Sequence, residues 1–318
     1  MVIWQSEGTP EWRDTPPWLM EEMVASEPAL ARSIGACGEA AGRLADRLRA
    51  AVVADDPIVV TGCGTFEHAA RAVGNLLDDA IRLQGQPGGR VEVRQALEAA
   101  LDPRGGLCIG VSHDGATRAT ILALEATRAA GGTTALITAR ADAPATAVAD
   151  EVCVTPQRDR PWRHTVAYLS PILVGWLIAE ALSGPPFEPV ALGTYLDAVL
   201  SRREQADGCA AARELALKVE EGARLPASMR DVETLLRGHL AACDDRTGLV
   251  FIATDPGGGE RATRRLVLAA QAARRVGVRV AASLPPEATD TGWLAVVGTA
   301  VVLQLVTLGL VRWASTRI

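Results

Sequence analysis

The stretch Leu107–Thr117, LCIGVSHDGAT, constrains the fold more than any other part of the sequence. Its first half is an apolar run of the length that a buried strand needs, and its second half is a small polar loop that opens a helix-like segment. In an open α/β sheet, such loops lie where strand carboxyl ends meet helix amino ends, so backbone N–H groups and hydroxyls converge on an anion. The sequence therefore predicts an anion-binding loop, with phosphate as the expected ligand.

A second loop of the same kind lies earlier in the chain. The apolar run Pro57–Thr61 predicts a short strand, the sequence GCGT follows it, and helical spacing begins near Phe66. Glycines let a backbone come close to a ligand, and a threonine hydroxyl can donate a hydrogen bond. We interpret Cys63, Gly64 and Thr65 as a second candidate phosphate or sugar loop.

Strand-like and helix-like segments alternate along the chain. Further apolar strands are predicted at Val91–Val93, Thr134–Thr138 and Glu151–Thr155 in the first half, and at Gly248–Thr254 and Val278–Ser283 in the second. Strands separated by helices need crossover connections, which indicate parallel, doubly wound sheets. The linker-like sequence SGPPFEP lies between the halves, so we expect an α/β chain with domains at residues 1–188 and 189–318.

The composition argues against several function classes. The net charge is −6 and the basic residues are interspersed with acidic ones, which argues against a nucleic-acid partner. The six cysteines lack the spacing of metal sites and lie mostly in apolar runs, which indicates reduced thiols and no bound metal. The sequence MVIWQSEGTPEWRD at the amino terminus lacks the basic-then-apolar order of a signal peptide, so we expect a cytoplasmic protein.

Two long apolar runs leave a membrane alternative to weigh. Trp293–Val311 carries no charge and is long enough to span a bilayer, and Thr165–Ala181 is similar except for Glu180. Pro171, Gln304 and scattered threonines fit helices buried between domains or subunits better than helices in lipid. We therefore expect no membrane partner, and we expect both helices to be covered in a homodimer.

Four short segments together resemble one known family. They are CGT (Cys63–Thr65), SHDGAT (Ser112–Thr117), ELALKVEE (Glu214–Glu221) and the arm MEEMVASEP before the first long helix. Together they are similar to the double sugar-isomerase (SIS) domain family, in particular to the isomerase half of glucosamine-6-phosphate synthase. The resemblance implies two doubly wound, flavodoxin-like SIS domains, a sugar or sugar-phosphate ligand and no cofactor. It also implies an aldose–ketose isomerase or a deaminase of a hexose or amino-sugar phosphate.

Carried onto this sequence, the family's phosphate loop matches at Ser112, Gly115 and Thr117 and differs at His113, Asp114 and Ala116. A carboxylate within about 4 Å of a phosphate costs several kcal/mol at an intermediate dielectric. Asp114 therefore either turns away or indicates a different ligand, unless a protonated His113 compensates for it. The other interpretation of the loop is a polar turn in which Asp114 caps the following helix.

Two further segments of the resembling sugar site match in part. Cys63, Gly64 and Thr65 keep the family's first loop, whereas Phe66 stands where the family has serine. His164, in the segment RHTVAY, also stands where the family has a serine that lines the sugar site. His164 is therefore either a sugar contact or a helix cap or core partner.

The catalytic groups that the resemblance implies are partly present. The family's proton-transferring glutamate matches Glu221, and its ring-opening histidine falls on Arg237, two residues before His239. The family's carboxy-terminal lysine has no counterpart, because Lys218 is the one lysine of the chain. Arginine cannot act as a general acid near neutral pH, which leaves His239 or His164 for that role.

Two hypotheses for function stay open. The first is an isomerase or deaminase in which Glu221 is the base, and the second is a non-catalytic sugar-phosphate-binding or scaffold protein. The second domain also departs from the family, because residues 195–218 have helix-like spacing where the family has a strand and a glycine-rich turn. A doubly wound sheet that loses a central strand must shrink or pair again, so we expect a shortened, degenerate second domain.

Overall fold

The computed structural model describes residues 19–160, 164–184, 186–202, 215–221, 225–252 and 260–283, together with Val297, Val301, Gln304 and Thr307. The chain divides into two compact units, Met1–Leu196 and Asp197–Ile318. The sequence-based boundary between residues 188 and 189 stays a prediction.

The first unit is built on a five-stranded parallel sheet. The strands are β1 (Ile58–Gly62), β2 (Val91–Gln95), β3 (Leu107–Val111), β4 (Thr133–Thr138) and β5 (Glu151–Val154), and their order in the sheet is β2-β1-β3-β4-β5. This is the flavodoxin-like order of a doubly wound sheet. The predicted parallel α/β architecture of the first half is confirmed.

The middle of this sheet is apolar on both faces. All residues of β1 and β3 are buried, as a continuous apolar run requires of a central parallel strand. The two strands pair in parallel from Ile58 with Leu107 to Thr61 with Gly110, so they end at the same edge of the sheet. The loops that follow β1 and β3 are therefore neighbours.

Helices cover both faces of the sheet. They are α1 (Leu19–Ser33), α2 (Gly38–Ala54), α3 (Thr65–Leu83), α4 (Ala96–Leu101), α5 (Arg118–Ala129) and α6 (Val166–Leu182). On one face, Ile121 and Leu124 of α5 pack on Val59 of β1. Val59 is paired with Glu92 of β2, so the next residue, Val93, points to the opposite face, and there α3 packs against it. The unit thus has the three layers of a doubly wound domain.

Helix α6 is covered within the chain itself. Every residue from Val166 to Ala179 is buried, and the helix packs against α1, α2 and α3. Gly175 permits the close approach of α3, because a Cβ there would lie 3.1 Å from the side chain of Val73. The argument that α6 needs a second subunit to cover it is therefore wrong, and the homodimer itself stays a prediction.

The second unit is described in part. The boundary between the units falls within α7 (Pro189–Arg202), and further helices are α8 (215–221), α9 (Val232–Arg237) and α10 (Glu260–Arg275). Strands β6 (Gly248–Ile252) and β7 (Arg279–Ser283) pair in parallel, and Leu235, Phe251, Ala269 and Ala270 form a small core. The shortened second domain stays a prediction, because most of residues 284–318 lie outside the described part.

The membrane alternative concerns the run Thr165–Ala181, which the structure describes, and the run Trp293–Val311, which it describes at four residues. Within the ranges that the structure describes, none of the helices combines the length and the apolar character needed to cross a bilayer. Of the run Trp293–Val311, the four described residues are helical and buried.

Candidate functional site

Two loops meet at the point where the strand order of the first sheet reverses. The Cys63 loop (Gly62–Thr65) follows β1, and the Ser112 loop (Ser112–Thr117) follows β3. The connection that follows β1 leads to β2 on one side, and the connection that follows β3 leads to β4 on the other side. This divergence opens a crevice between the carboxyl ends of β1 and β3. In open α/β sheets, ligands bind in this crevice.

The Ser112 loop brings two hydroxyls to the start of α5. Ser112 is fully buried, and its hydroxyl donates a hydrogen bond to the Thr117 hydroxyl at 3.2 Å. Thr117 occupies the N-cap position of the 12-residue helix α5, but its side chain makes no capping hydrogen bond. The first N–H groups of α5 therefore lack a side-chain cap, and uncapped helix N–H groups can bind an anion.

Gly115 fixes the shape of this loop. Its φ is +57°, and a Cβ at this position would lie 2.4 Å from the Cβ of Ala143. Its carbonyl accepts a hydrogen bond from the N–H of Ala145 at 2.9 Å. The loop is held against the segment after β4 at a place where a side chain does not fit.

His113 is a buried and neutral member of the loop. Its Nε2 accepts a hydrogen bond from the backbone N–H of Asp159 at 2.9 Å, so the ring proton lies on Nδ1. Burial lowers the pKa of His113 to about 4, and Arg158 lowers it further whereas Asp114 opposes the change. The idea that a protonated His113 compensates for Asp114 is therefore wrong at neutral pH.

Asp114 faces an arginine that the sequence analysis did not single out. Its Oδ1 lies 3.6 Å from Nη2 of Arg158, and the Asp114 side chain is 35% exposed. α5 begins four residues later at Arg118, and within the described residues no hydrogen bond joins Asp114 to it. The interpretation of Asp114 as the cap of α5 is wrong, and so is the assumption that its carboxylate is unpaired.

Asp159 caps α6 from seven residues before the helix begins. Its carboxylate accepts hydrogen bonds from the N–H groups of Thr165 at 2.6 Å and Ala167 at 2.8 Å, and from the Thr165 hydroxyl at 3.1 Å. A helix cap normally lies next to the first turn, so no local pattern indicated this residue. Through its N–H and its carboxylate, Asp159 joins the Ser112 loop to the start of α6.

Three departures from the family motifs lie together in the folded chain. The ring centroids of Phe66 and His164 are 4.9 Å apart, those of His113 and His164 are 6.0 Å apart, and those of Phe66 and His113 are 6.5 Å apart. This aromatic cluster lies between the Cys63 loop, the Ser112 loop and the start of α6. His164 is thus a member of a ring cluster, and its role as a sugar contact stays a prediction.

The Cys63 loop is also shaped by glycine. Gly64 has a φ of +55°, and a Cβ at Gly62 would lie 2.5 Å from the carbonyl oxygen of Phe66. Burial raises the pKa of the Cys63 thiol, so this thiol is not a thiolate nucleophile at neutral pH. Thr65 is the buried first residue of α3. Cys63, Gly64 and Thr65 stay predicted ligand contacts.

The candidate catalytic residues belong to the second unit. Oε2 of Glu221 lies 2.8 Å from Nζ of Lys218, and the side chain of Lys218 is 2% exposed whereas that of Glu221 is 30% exposed. His239 is exposed, in a 3₁₀ turn directly after α9. The roles of Glu221 and His239 stay predictions.

Two other features bear on the choice of site. A shallow polar groove of about 430 Å³ is lined by Arg47, Arg128, Thr133 and Asp150, at the amino ends of β4 and β5 and therefore at the edge opposite the two loops. Across the residues that the structure covers, His, Cys, Asp and Glu side chains form no group of three or more with the geometry of a metal site. The groove contains none of the site residues that were predicted from the sequence.

Comparisons with known proteins identify the fold. No protein-family profile matches the sequence, and no curated protein matches it. Among solved structures, the C-terminal domain of glucosamine-fructose-6-phosphate aminotransferase from Francisella tularensis matches with a TM-score of 0.73 at 14% identity, over 96% of this chain and 98% of that one. The chain therefore shares the fold of that domain.

Two further solved structures share this fold with similar TM-scores. Glucosamine-6-phosphate deaminase from Thermotoga maritima has a TM-score of 0.73 at 14% identity, over 93% of this chain and 95% of that one. Tagatose-6-phosphate ketose/aldose isomerase from Escherichia coli has a TM-score of 0.71 at 15% identity, over 95% and 96% of the two chains. At these identities the likeness concerns the fold, and an activity must be argued from the residues of this chain.

Proposed function

We propose that this protein binds a sugar phosphate at the loops that follow β1 and β3. The observation that carries the proposal is the pair of hydroxyls on Ser112 and Thr117, 3.2 Å apart at the uncapped start of α5. A phosphate monoester presents acceptor oxygens, and hydroxyls and helix N–H groups supply the donors that it needs. Solved structures of the same fold include proteins named for phosphorylated sugars, which supports this ligand class.

We further propose that the protein is an aldose–ketose isomerase or a related deaminase in which Glu221 is the base. In aldose–ketose isomerisation a base takes a proton from C2 of the sugar and returns it to C1, and a carboxylate is suited to this step. Glu221 forms an ion pair with Lys218, the one lysine of the chain, whose side chain is buried. A buried ammonium group is tolerated when an opposite charge compensates it, so the carboxylate of Glu221 stabilises the buried Lys218 side chain in α8. His239 or His164 is proposed for the acid role.

The alternative proposal is a sugar-phosphate-binding or scaffold protein without catalysis. It is favoured by Arg237, which stands at the position of the resembling family's histidine and cannot transfer a proton near neutral pH. The absence of any lysine besides Lys218 favours it as well. Under this proposal the ligand binds at the Ser112 loop and its C2 proton is never exchanged.

One experiment separates the two proposals. Fructose 6-phosphate and glucosamine 6-phosphate are titrated calorimetrically into the protein, and the loss of the C1 or C2 proton signals is followed by NMR in deuterated water. Proton exchange that is lost in Glu221→Gln, and kept in the control Glu220→Gln, supports the enzyme. Binding without exchange decides for the non-catalytic protein. If neither sugar phosphate binds, the proposed function is overturned.

A further inference from the structure

The segment between β5 and α6 places a positive charge beside the Ser112 loop. We propose that the guanidinium of Arg158 contacts the phosphate of the ligand and thereby selects phosphorylated over unphosphorylated sugars. This inference rests on the proposed function, and it names a specificity-determining residue for the same site. None of the matched motifs in the sequence contains Arg158.

The geometry leaves the guanidinium of Arg158 available to a ligand. Its Nη2 lies 3.6 Å from Oδ1 of Asp114, which is an ion pair but lies outside hydrogen-bond range. The side chain of Arg158 is 60% exposed, and within the described ranges its guanidinium makes no hydrogen bond. A guanidinium carries five N–H donors in a planar fork, which matches the oxygens of a phosphate.

The backbone around Arg158 is held on both sides. Asp159 donates its N–H to His113, and Nε2 of Gln157 donates to the hydroxyl of Ser26 on α1 at 2.6 Å. Nη1 of Arg160 lies 3.1 Å from Oε2 of Glu22. The start of the Arg158 side chain is therefore fixed over the Ser112 loop, and less of its freedom has to be lost when a ligand binds.

The charges around the Ser112 loop determine what Arg158 can bind. His113 is neutral at pH 7 because burial lowers its pKa, so the Ser112 loop by itself carries the single negative charge of Asp114. The nearby Asp142 is already bound by Arg140, with Nε and Oδ1 3.1 Å apart. Arg158 therefore neutralises Asp114, and its remaining donors can contact an anion on the ligand side.

The competing explanation is that Arg158 only screens Asp114 and never contacts the ligand. A double-variant comparison separates the two explanations, because serine at position 114 removes the charge to be screened. We would titrate fructose 6-phosphate, fructose and inorganic phosphate into the wild type, Arg158→Gln, Asp114→Ser and the combined variant. The combined variant removes both charges together and therefore leaves no unpaired charge that could disturb folding.

The expected result is a loss of phosphate affinity whenever Arg158 is absent. Fructose 6-phosphate should bind about tenfold or more weakly to the combined variant than to Asp114→Ser. Equal affinities of these two variants would overturn the inference. The control Arg128→Gln removes a matched arginine, 3.9 Å from Asp150 at the other end of α5, and should leave the affinity unchanged. Any binding of fructose should not respond to Arg158→Gln, and a tenfold response there would also overturn the inference.

The failure of this inference can be told from the failure of the proposed function. Sugar-phosphate binding that is indifferent to the residue at position 158 contradicts the inference and leaves the proposed function standing. Inorganic phosphate binding that depends on Arg158, with no binding of fructose 6-phosphate or glucosamine 6-phosphate, contradicts the proposed function. It leaves standing the contact between Arg158 and a phosphate. If inorganic phosphate and both sugar phosphates fail to bind, both are overturned.

Discussion

The backbone N–H of Asp159 donates a hydrogen bond to Nε2 of His113 at 2.9 Å, between a loop that follows β3 and a loop that precedes α6. This bond fixes the tautomer of a buried imidazole. The carboxylate of the same aspartate caps α6, so one residue positions both the candidate anion loop and the helix that follows it.

The first prediction concerns pH. Burial lowers the pKa of His113 to about 4 from the ordinary value of 6.5, so between these values the unfolded chain binds a proton that the native state excludes. Stability is therefore fully present above pH 6.5 and is lost as pH falls toward 4, by about 1.4 kcal/mol per pH unit and about 3 kcal/mol in all. Urea unfolding between pH 4.5 and 7.5 should show a steeper pH dependence for the wild type than for His113→Gln.

The glutamine variant keeps an amide oxygen that can accept the Asp159 N–H, so the comparison isolates the titration of the imidazole. Identical slopes for the wild type and His113→Gln would mean that His113 titrates alike in the native and unfolded states. The buried environment described for it would then be incorrect.

The second prediction concerns Gly115. Alanine at this position must adopt a φ of +57° and place its Cβ 2.4 Å from the Cβ of Ala143, so the loop has to move. Gly131→Ala is the control, because its φ is +82° but no atom lies within 4 Å of the added Cβ. We expect a loss of unfolding free energy of about 2 to 4 kcal/mol for Gly115→Ala and about 1 kcal/mol for Gly131→Ala. Equal losses in chemical denaturation would contradict the close packing of the loop.

Much of the first unit could be predicted from the sequence because its signals are local. The apolar runs that end at Thr61 and Val111 are central strands, and the glycines after them are required by positive φ values and close contacts. Parallel pairing then follows from the alternation of strands and helices. The neighbouring Cys63 and Ser112 loops were therefore accessible without a structure.

The rest of the site depends on contacts between residues that are distant in the sequence. Asp159 reaches His113 across 46 positions, and Arg158 comes beside Asp114 only because the segment before α6 folds over the loop. The pairing of Phe66 with His164 is equally invisible to any local pattern. For the same reason the sequence suggested that α6 needs a second subunit, whereas α1, α2 and α3 already cover it.

The third prediction concerns the sign of the charge at position 114. If the loop binds phosphate, Asp114→Ser removes a repulsive carboxylate and releases Arg158 toward the ligand. Sugar-phosphate affinity should then rise about five- to thirtyfold, or roughly 1 to 2 kcal/mol after screening by solvent. Calorimetric titration checks this, and Asp46→Ser is a control because that carboxylate lies on α2, outside the Ser112 loop, and is bound by Arg49. Weaker binding by Asp114→Ser would mean that Asp114 accepts a hydrogen bond from a neutral or cationic sugar.

The fourth prediction tests the central claim, which is that the Ser112 loop binds the phosphate of a sugar phosphate. The hydroxyls of Ser112 and Thr117 bond to each other, so replacing both by alanine leaves no polar partner behind. The wild type should bind fructose 6-phosphate or glucosamine 6-phosphate in calorimetric titration, and Ser112→Ala/Thr117→Ala should lose that binding while its melting temperature stays nearly unchanged. Thr194→Ala, which removes a hydroxyl bonded to the Val190 carbonyl on α7, should bind as the wild type does. Unaltered affinity in the double variant, or no binding by the wild type, would contradict the claim.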